Sequence, residues 1–192
     1  MQGISGRDNQ MINLFKYVVF VLSSIIITSV IISPDEDEEI QMRITELRMS
    51  DGDPSVPKSI TMYELLDTYS TFYDIPKYIA YNIAYKETRY KGPFHWSYTP
   101  EQTSFAGAVG PMQVMPATAN YINGENVSRE ELKTNLSLNI ETSMKLLRRL
   151  YDKYGSWKIV CGCYNTGRPI VNEYAIYCSS NKNYKNRWLS VD

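Results

Sequence analysis

The chain has 192 residues, 43% of them hydrophobic, and a net charge of −1, which suits one compact domain plus an appendage. A pI of about 5.9 excludes the strongly basic surface that nucleic acids require. The one histidine, His95, excludes metal sites built on several histidines and any Ser-His-Asp triad that does not use it. The 16 tyrosines read mainly as amphipathic packing at helix surfaces, with stacking on sugar faces as their alternative use.

The first thirty-odd residues differ from the rest. Tyr17 to Ile32 is uncharged and rich in Val and Ile, and with Leu14 and Phe15 it approaches the ~20 residues that cross a bilayer. Lys16 interrupts its early end, where the side chain can snorkel to the interface. A cleaved signal peptide is the competing reading. No small-x-small site and no nearby cysteine follow the stretch, so it reads as a signal anchor over 14–32. Arg7 and Lys16 before it nearly balance Arg43 and Arg48 after it. The acidic run Asp35 to Glu39 carries little weight in orientation. Lys16 lies nearest the membrane and favours the N-terminus inside. The expected division is therefore 1–33 cytoplasmic stub and transmembrane anchor, 34–58 acidic, proline-containing linker with a short helix around Ile40–Met49, and 59–192 a globular domain outside the cytoplasm.

In that domain Thr61-x-x-Glu64 has the capping-box spacing and opens a helix. Pro76 fits the first position of the next, whose face carries Ile79, Ile83 and Tyr90 with Glu87 near its end. Phe94 to Ser104 can hold a small hairpin or an irregular flap. Pro116 opens a short helix through Ile122, and Ser128-x-x-Glu131 is a second capping box. Leu136 to Tyr154 is strongly amphipathic, and Gly155 ends it. Ser156–Tyr164 and Pro169–Tyr177 are further helices around a turn at Asn165-Thr166-Gly167. The class is all-α, with at most a small hairpin. The tail from Asn181 reads as docked on the domain. Cys161 and Cys163 point to different faces of one helix; either a disulfide from one of them to Cys178 or three buried thiols fits.

Three segments carry chemistry. Glu87 has Lys91 at i+4, so a solvated ion pair is one reading. The other is a carboxyl buried by a rim of Tyr85, Tyr90, Phe94, Met112, Met115 and Tyr164, which favours the protonated acid that a glycosidic oxygen needs to leave. The segment Ser104 to Met115 holds Gly107, Ala108 and Gly110, which leave backbone groups accessible to a polar chain, and Gln113, whose amide suits N-acetyl sugars. An ordinary tight turn at Gly110-Pro111 is its other reading. Tyr164-Asn165-Thr166-Gly167 alone is a common helix stop.

Together these segments resemble the soluble-lytic-transglycosylase type of peptidoglycan-cleaving enzymes, which share a fold with goose-type lysozyme. The resemblance rests on Glu87-Thr88-x-Tyr90, on Ser104-x-x-Gly107-Ala108-x-Gly110-x-Met112-Gln113-x-Met115-Pro116-x-Thr118-Ala119, on Asn139-Ile140, and on Tyr164-Asn165-x-Gly167. It implies a lysozyme-like helical domain. Glu87 is then the single catalytic acid/base, and Thr88, Ser104, Gly107, Ala108, Gly110, Met112, Gln113, Tyr164 and Asn165 bind the glycan. The implied substrate is the peptidoglycan strand, cut between N-acetylmuramic acid and N-acetylglucosamine with a 1,6-anhydro product and with no metal or cofactor. Pro111 replaces the family's usual leucine, and the stretch from Glu87 to Ser104 is several residues longer than is common. Glu101 in that stretch is the nearest candidate for the second carboxylate of a hydrolase. A membrane-anchored glycan-binding protein without turnover is the remaining reading.

Overall fold

The computed structural model describes residues 35–189. The apolar stretch 14–32 expected to anchor the chain lies outside the described residues, and among these no helix is long and apolar enough to cross a membrane.

The first helix, α1 (Glu36–Ser50), takes up the acidic run and most of the stretch expected to be a linker. It is longer than the short helix expected there, and it is attached to the domain. Ile44 and Leu47, one turn apart, are buried in the core. The guanidinium of Arg48 donates to Glu141 Oε2 at 2.6 Å and to the Tyr69 hydroxyl at 3.2 Å. Helix α2 (Lys58–Phe72) starts directly after Pro57, with no side-chain cap. The expected capping box at Thr61 is inside this helix, and Thr61 is buried. Proline presets the backbone for a helix start, and burial of Met62, Leu65, Leu66 and Tyr69 fixes the helix around it.

The central element is α3 (Lys77–Thr88), which begins one residue after Pro76. Ile79, Ala80, Tyr81, Asn82, Ile83 and Ala84 are all buried, so neighbours cover it on most sides. Tyr81, absent from the expected face, stacks on Tyr184 with centroids 4.8 Å apart. An irregular segment follows, with two isolated bridges, Thr103 to Val109 and Val109 to Val114, and no named strand among the described residues.

Then come α4 (Pro116–Asn123), α5 (Arg129–Thr134) and α6 (Leu136–Tyr154). Ser128 Oγ caps α5 by accepting from Glu131 N at 3.1 Å. Asn135 caps α6 in the same way through Leu138 N at 2.8 Å, and Gly155 at φ +63 ends it. Ile140, Met144 and Leu147 of α6 are fully buried and form the floor of the core.

Helix α7 (Trp157–Thr166) is followed by α8 (Glu173–Ser180), which starts later than the expected Pro169. The intervening chain crosses α7 so closely that a Cβ on Gly162 would lie 1.7 Å from the Ile170 carbonyl oxygen. Helix α8 starts instead at its cap, Asn172, whose side chain accepts from Ala175 N at 2.9 Å. The last described turn, a 3-10 helix over Tyr184–Leu189, docks as expected. Trp188 meets Tyr63 edge-on at 5.3 Å and covers Gly92, where any side chain would collide with the indole. Cys161, Cys163 and Cys178 are free and buried.

Candidate active site

Glu87 is the penultimate residue of α3, which closes with Arg89 in the left-handed region at φ +61. Its carboxylate accepts a 2.5 Å hydrogen bond from the Tyr174 hydroxyl of α8. Burial pushes its proton affinity above the ordinary carboxylate range, while the Tyr174 bond and the nearby Lys86 ammonium pull the other way; the net direction is upward, toward the neutral acid. Lys86 itself lies over the rings of Tyr177 and Tyr174, at 5.2 and 5.9 Å.

Facing Glu87 is a cleft of about 620 Å³, a size that suits a bound small ligand or a stretch of polymer. Ser104, Ala106, Ala108, Gln113 and Met115 of the irregular segment line it, as do Thr118 of α4 and Tyr164, Asn165, Thr166 and Gly167 at the end of α7. Cys163 of α7 and the last turns of α6, with Leu146, Leu150, Lys153 and Tyr154, make the remaining wall.

The irregular segment is held rigidly from beneath. Asn139 of α6, fully buried, donates to the carbonyls of Val109 and Leu132, both at 2.9 Å, and accepts from Met112 N at 3.0 Å. Gly110, at φ +76, lies against this amide: a Cβ there would be 2.4 Å from Asn139 Nδ2. Glycine is required by close approach as well as by backbone conformation. The Tyr164 hydroxyl donates to the Met112 carbonyl at 2.7 Å, and Ser143 Oγ lies 3.2 Å from it. Ser104 closes the tip: its side chain accepts from Ala108 N and its carbonyl from Gly107 N, both at 3.0 Å.

The residues marked in the sequence thus fall into two groups. Glu87, Ser104, Ala108, Gln113, Tyr164 and Asn165 line the cleft. Thr88, Gly107, Gly110 and Met112 do not; they support or shape the loop. Thr88 is 2% exposed, and its hydroxyl bonds the Pro111 carbonyl at 2.9 Å and the Tyr98 hydroxyl at 2.8 Å. Gly107 makes no close approach, a Cβ there meeting open space, and it shapes the tip through its φ of +93. Gln113 also has a positive φ, +51, and its amide donates to the Gly110 carbonyl at 2.9 Å.

The expected apolar rim is only partly present. Met115 and Tyr164 line the cleft. Tyr90 is buried with its hydroxyl on the Ser59 carbonyl at 2.8 Å, Tyr85 stacks on Tyr177, and Phe94 is exposed beside Trp96. The group in contact with Glu87 is Tyr174, which no motif marked; only its place on an expected helix hinted at it. Glu101 does not reach the cleft lining. Its carboxylate pairs with Lys58 at the start of α2. Among the described residues Glu87 is the one carboxylate that lines the cleft, and no cluster of three or more His, Cys, Asp or Glu side chains could hold a metal ion.

No curated protein and no solved structure matches the chain. The profile of the transglycosylase SLT domain matches residues 64–187, a span that runs from α2 through the docked tail and includes every cleft-lining residue named above. The chain belongs to the transglycosylase SLT domain family.

Proposed function

We propose that this protein is a lytic transglycosylase that cuts the β-1,4 bond between N-acetylmuramic acid and N-acetylglucosamine and leaves 1,6-anhydro-muramic ends. The observation that carries this reading is the one carboxyl that lines the cleft among the described residues, half-buried and raised toward its protonated form. Glu87 donates its proton to the glycosidic oxygen as the C1–O bond breaks, and positive charge develops at C1. The substrate's own acetamido oxygen stabilises that charge. Glu87, now a carboxylate, takes the proton from the muramic C6 hydroxyl, and O6 closes on C1. The Tyr174 hydrogen bond then steadies the carboxylate between the two proton transfers. A hydrolase that activates water would use a second carboxyl across the sugar, and Glu101 is committed to Lys58.

In this reading Ser104, Ala108, Gln113, Tyr164 and Asn165 contact the glycan directly, whereas Thr88, Gly107, Gly110 and Met112 hold and shape the loop that does so. Residues 14–32 anchor the chain in a membrane, with the domain on the cell-wall side, and no nucleic acid, metal or cofactor takes part. Mass spectrometry of material released from purified peptidoglycan by the full chain and by Glu87→Gln tests the proposal. Products lighter by one water than hydrolysis products, absent with the variant, are expected. Reducing-end products would mean hydrolysis, and no products from the folded wild-type chain would leave a glycan-binding protein.

A further inference from the structure

The cleft contains a charge that the proposed reaction does not use. Leu146, Leu150 and Tyr154 follow one another four apart and Lys153 lies three after Leu150, so they share one side of the helix, and all four line the cleft. Lys153 is the one cation among the described lining residues. Its fellow basic residues on α6 are engaged elsewhere. Lys145 pairs with Glu141 at 3.2 Å, Arg148 with Asp152 at 2.6 Å, and Arg149 donates to the Ile122 carbonyl at 3.3 Å. Among the described residues Lys153 has no carboxylate within ion-pair distance, and its ammonium sits 5.0 Å over the Tyr154 ring. The lining thus combines one acid held toward neutrality with one standing positive charge.

A neutral sugar polymer gives no reason for that charge. N-acetylglucosamine is uncharged, whereas every muramic residue carries a lactyl ether that ends either in a free carboxylate or in a peptide with carboxylates of its own. We propose that Lys153, with the apolar face of Leu146, Leu150 and Tyr154, forms a subsite for the carboxylate-bearing side chain of muramic acid. This rests on the reading of the cleft as a peptidoglycan site and adds what sets its register: an ammonium that selects muramic over glucosamine residues at one position. The leucines and the tyrosine ring supply a low-polarity wall for the lactyl methyl or the first side chains of a stem peptide, and they strengthen the ion pair by displacing water.

The test is binding by the full chain carrying Glu87→Gln, which removes turnover, compared with the same chain also carrying Lys153→Met or Lys153→Arg. Soluble peptide-bearing strands, amidase-stripped strands and chitin oligosaccharides of equal length are titrated by calorimetry. Lys153→Met is expected to weaken binding of the muramic strands roughly two- to fivefold at low salt, the range of an exposed ion pair, with the difference shrinking as salt is added. Chitin affinity stays unchanged, and Lys153→Arg keeps the affinity for muramic strands. Loss confined to peptide-bearing strands assigns a stem-peptide carboxylate, and loss confined to stripped strands the lactyl one. An equal effect on chitin, or no effect on any ligand with the starting protein binding normally, overturns the subsite and leaves Lys153 as a helix-end charge. No binding to any strand, together with no product from the wild-type chain, would overturn the glycan-cleaving reading and the subsite with it.

Discussion

Replacing Asn139 by alanine removes the support of the cleft-lining loop without touching the cleft surface. The Met112 N–H is left buried, because Asn139 Oδ1 is the acceptor it has in the structure; an orphaned buried donor costs about 1–3 kcal/mol. The Val109 carbonyl keeps the bond from Val114 N at 3.0 Å, so it loses one of two donors, and the Leu132 carbonyl loses the Asn139 amide; together these add about 1–2 kcal/mol. The expected total is about 2–5 kcal/mol, a large part of the 5–15 kcal/mol that typically separates folded from unfolded. Urea unfolding of the wild type, Asn139→Ala and Asn139→Leu measures it. Leucine restores most of the volume but none of the bonds, so it should recover little. A midpoint shift worth under about 1 kcal/mol at unchanged slope, or full recovery by leucine, would show that the hydrogen bonds do not hold the loop.

Two predictions concern protons. Tyr174→Phe keeps the ring and removes the donor to Glu87, one of the influences that hold the carboxyl's proton affinity down, so the alkaline limb of kcat/KM should move to higher pH; a limb that stays put or moves down contradicts the assignment. Glu87 also titrates with folding. Its folded proton affinity is raised above the ordinary 4.5 by burial, so between that pH and the raised value the folded state binds more protons than the unfolded one. Its stabilising contribution is complete below pH 4.5 and is lost as pH rises through the folded value. Glu87→Gln lacks this loss, and its melting temperature should exceed that of the wild type at pH 8, with the gap narrowing by pH 4; a constant gap across that range would refute the argument.

Local signals served well where the structure is local. Helix α6 shows in the sequence because its apolar stripe has the helical period and its end carries glycine, and Ser128 caps α5 at the spacing that announces it. The same spacing at Thr61 misleads, because Ser/Thr-x-x-Glu also occurs inside helices and Pro57 supplies the start instead. The loop from Ser104 to Met115 was marked by its small residues, but their division of labour was not. Whether a glycine opens the backbone to a ligand or admits a neighbour depends on what lies opposite, here Asn139, 29 residues from Gly110 in number and in contact with it in space. Thr88 illustrates the same limit, since its hydroxyl is claimed by Tyr98 and Pro111. Tyr174 lies 87 positions from Glu87, and only the packing of α8 against α3 brings the two together. The acidic composition of Asp35 to Glu39 hid the first turn of α1, and its attachment through Ile44, Leu47, the Arg43–Glu64 ion pair and Arg48 depends on partners distant in sequence.

The docked tail has a consequence for how the protein comes into being. The Asn82 amide of α3 accepts from the Arg187 guanidinium at 3.2 Å and donates to the carbonyls of Cys178 and Asn181 at 3.0 and 2.8 Å. Its partners therefore lie up to 105 positions later in the chain. During synthesis the helix that carries Glu87 is made early, and its seat is finished only when Arg187 and Trp188 have followed. Closing such distant contacts is slow compared with forming the helix itself. A nascent chain thus carries its acid well before Tyr174, whose hydroxyl bonds that acid, has been made, and before the tail that seats the acid's helix has been made.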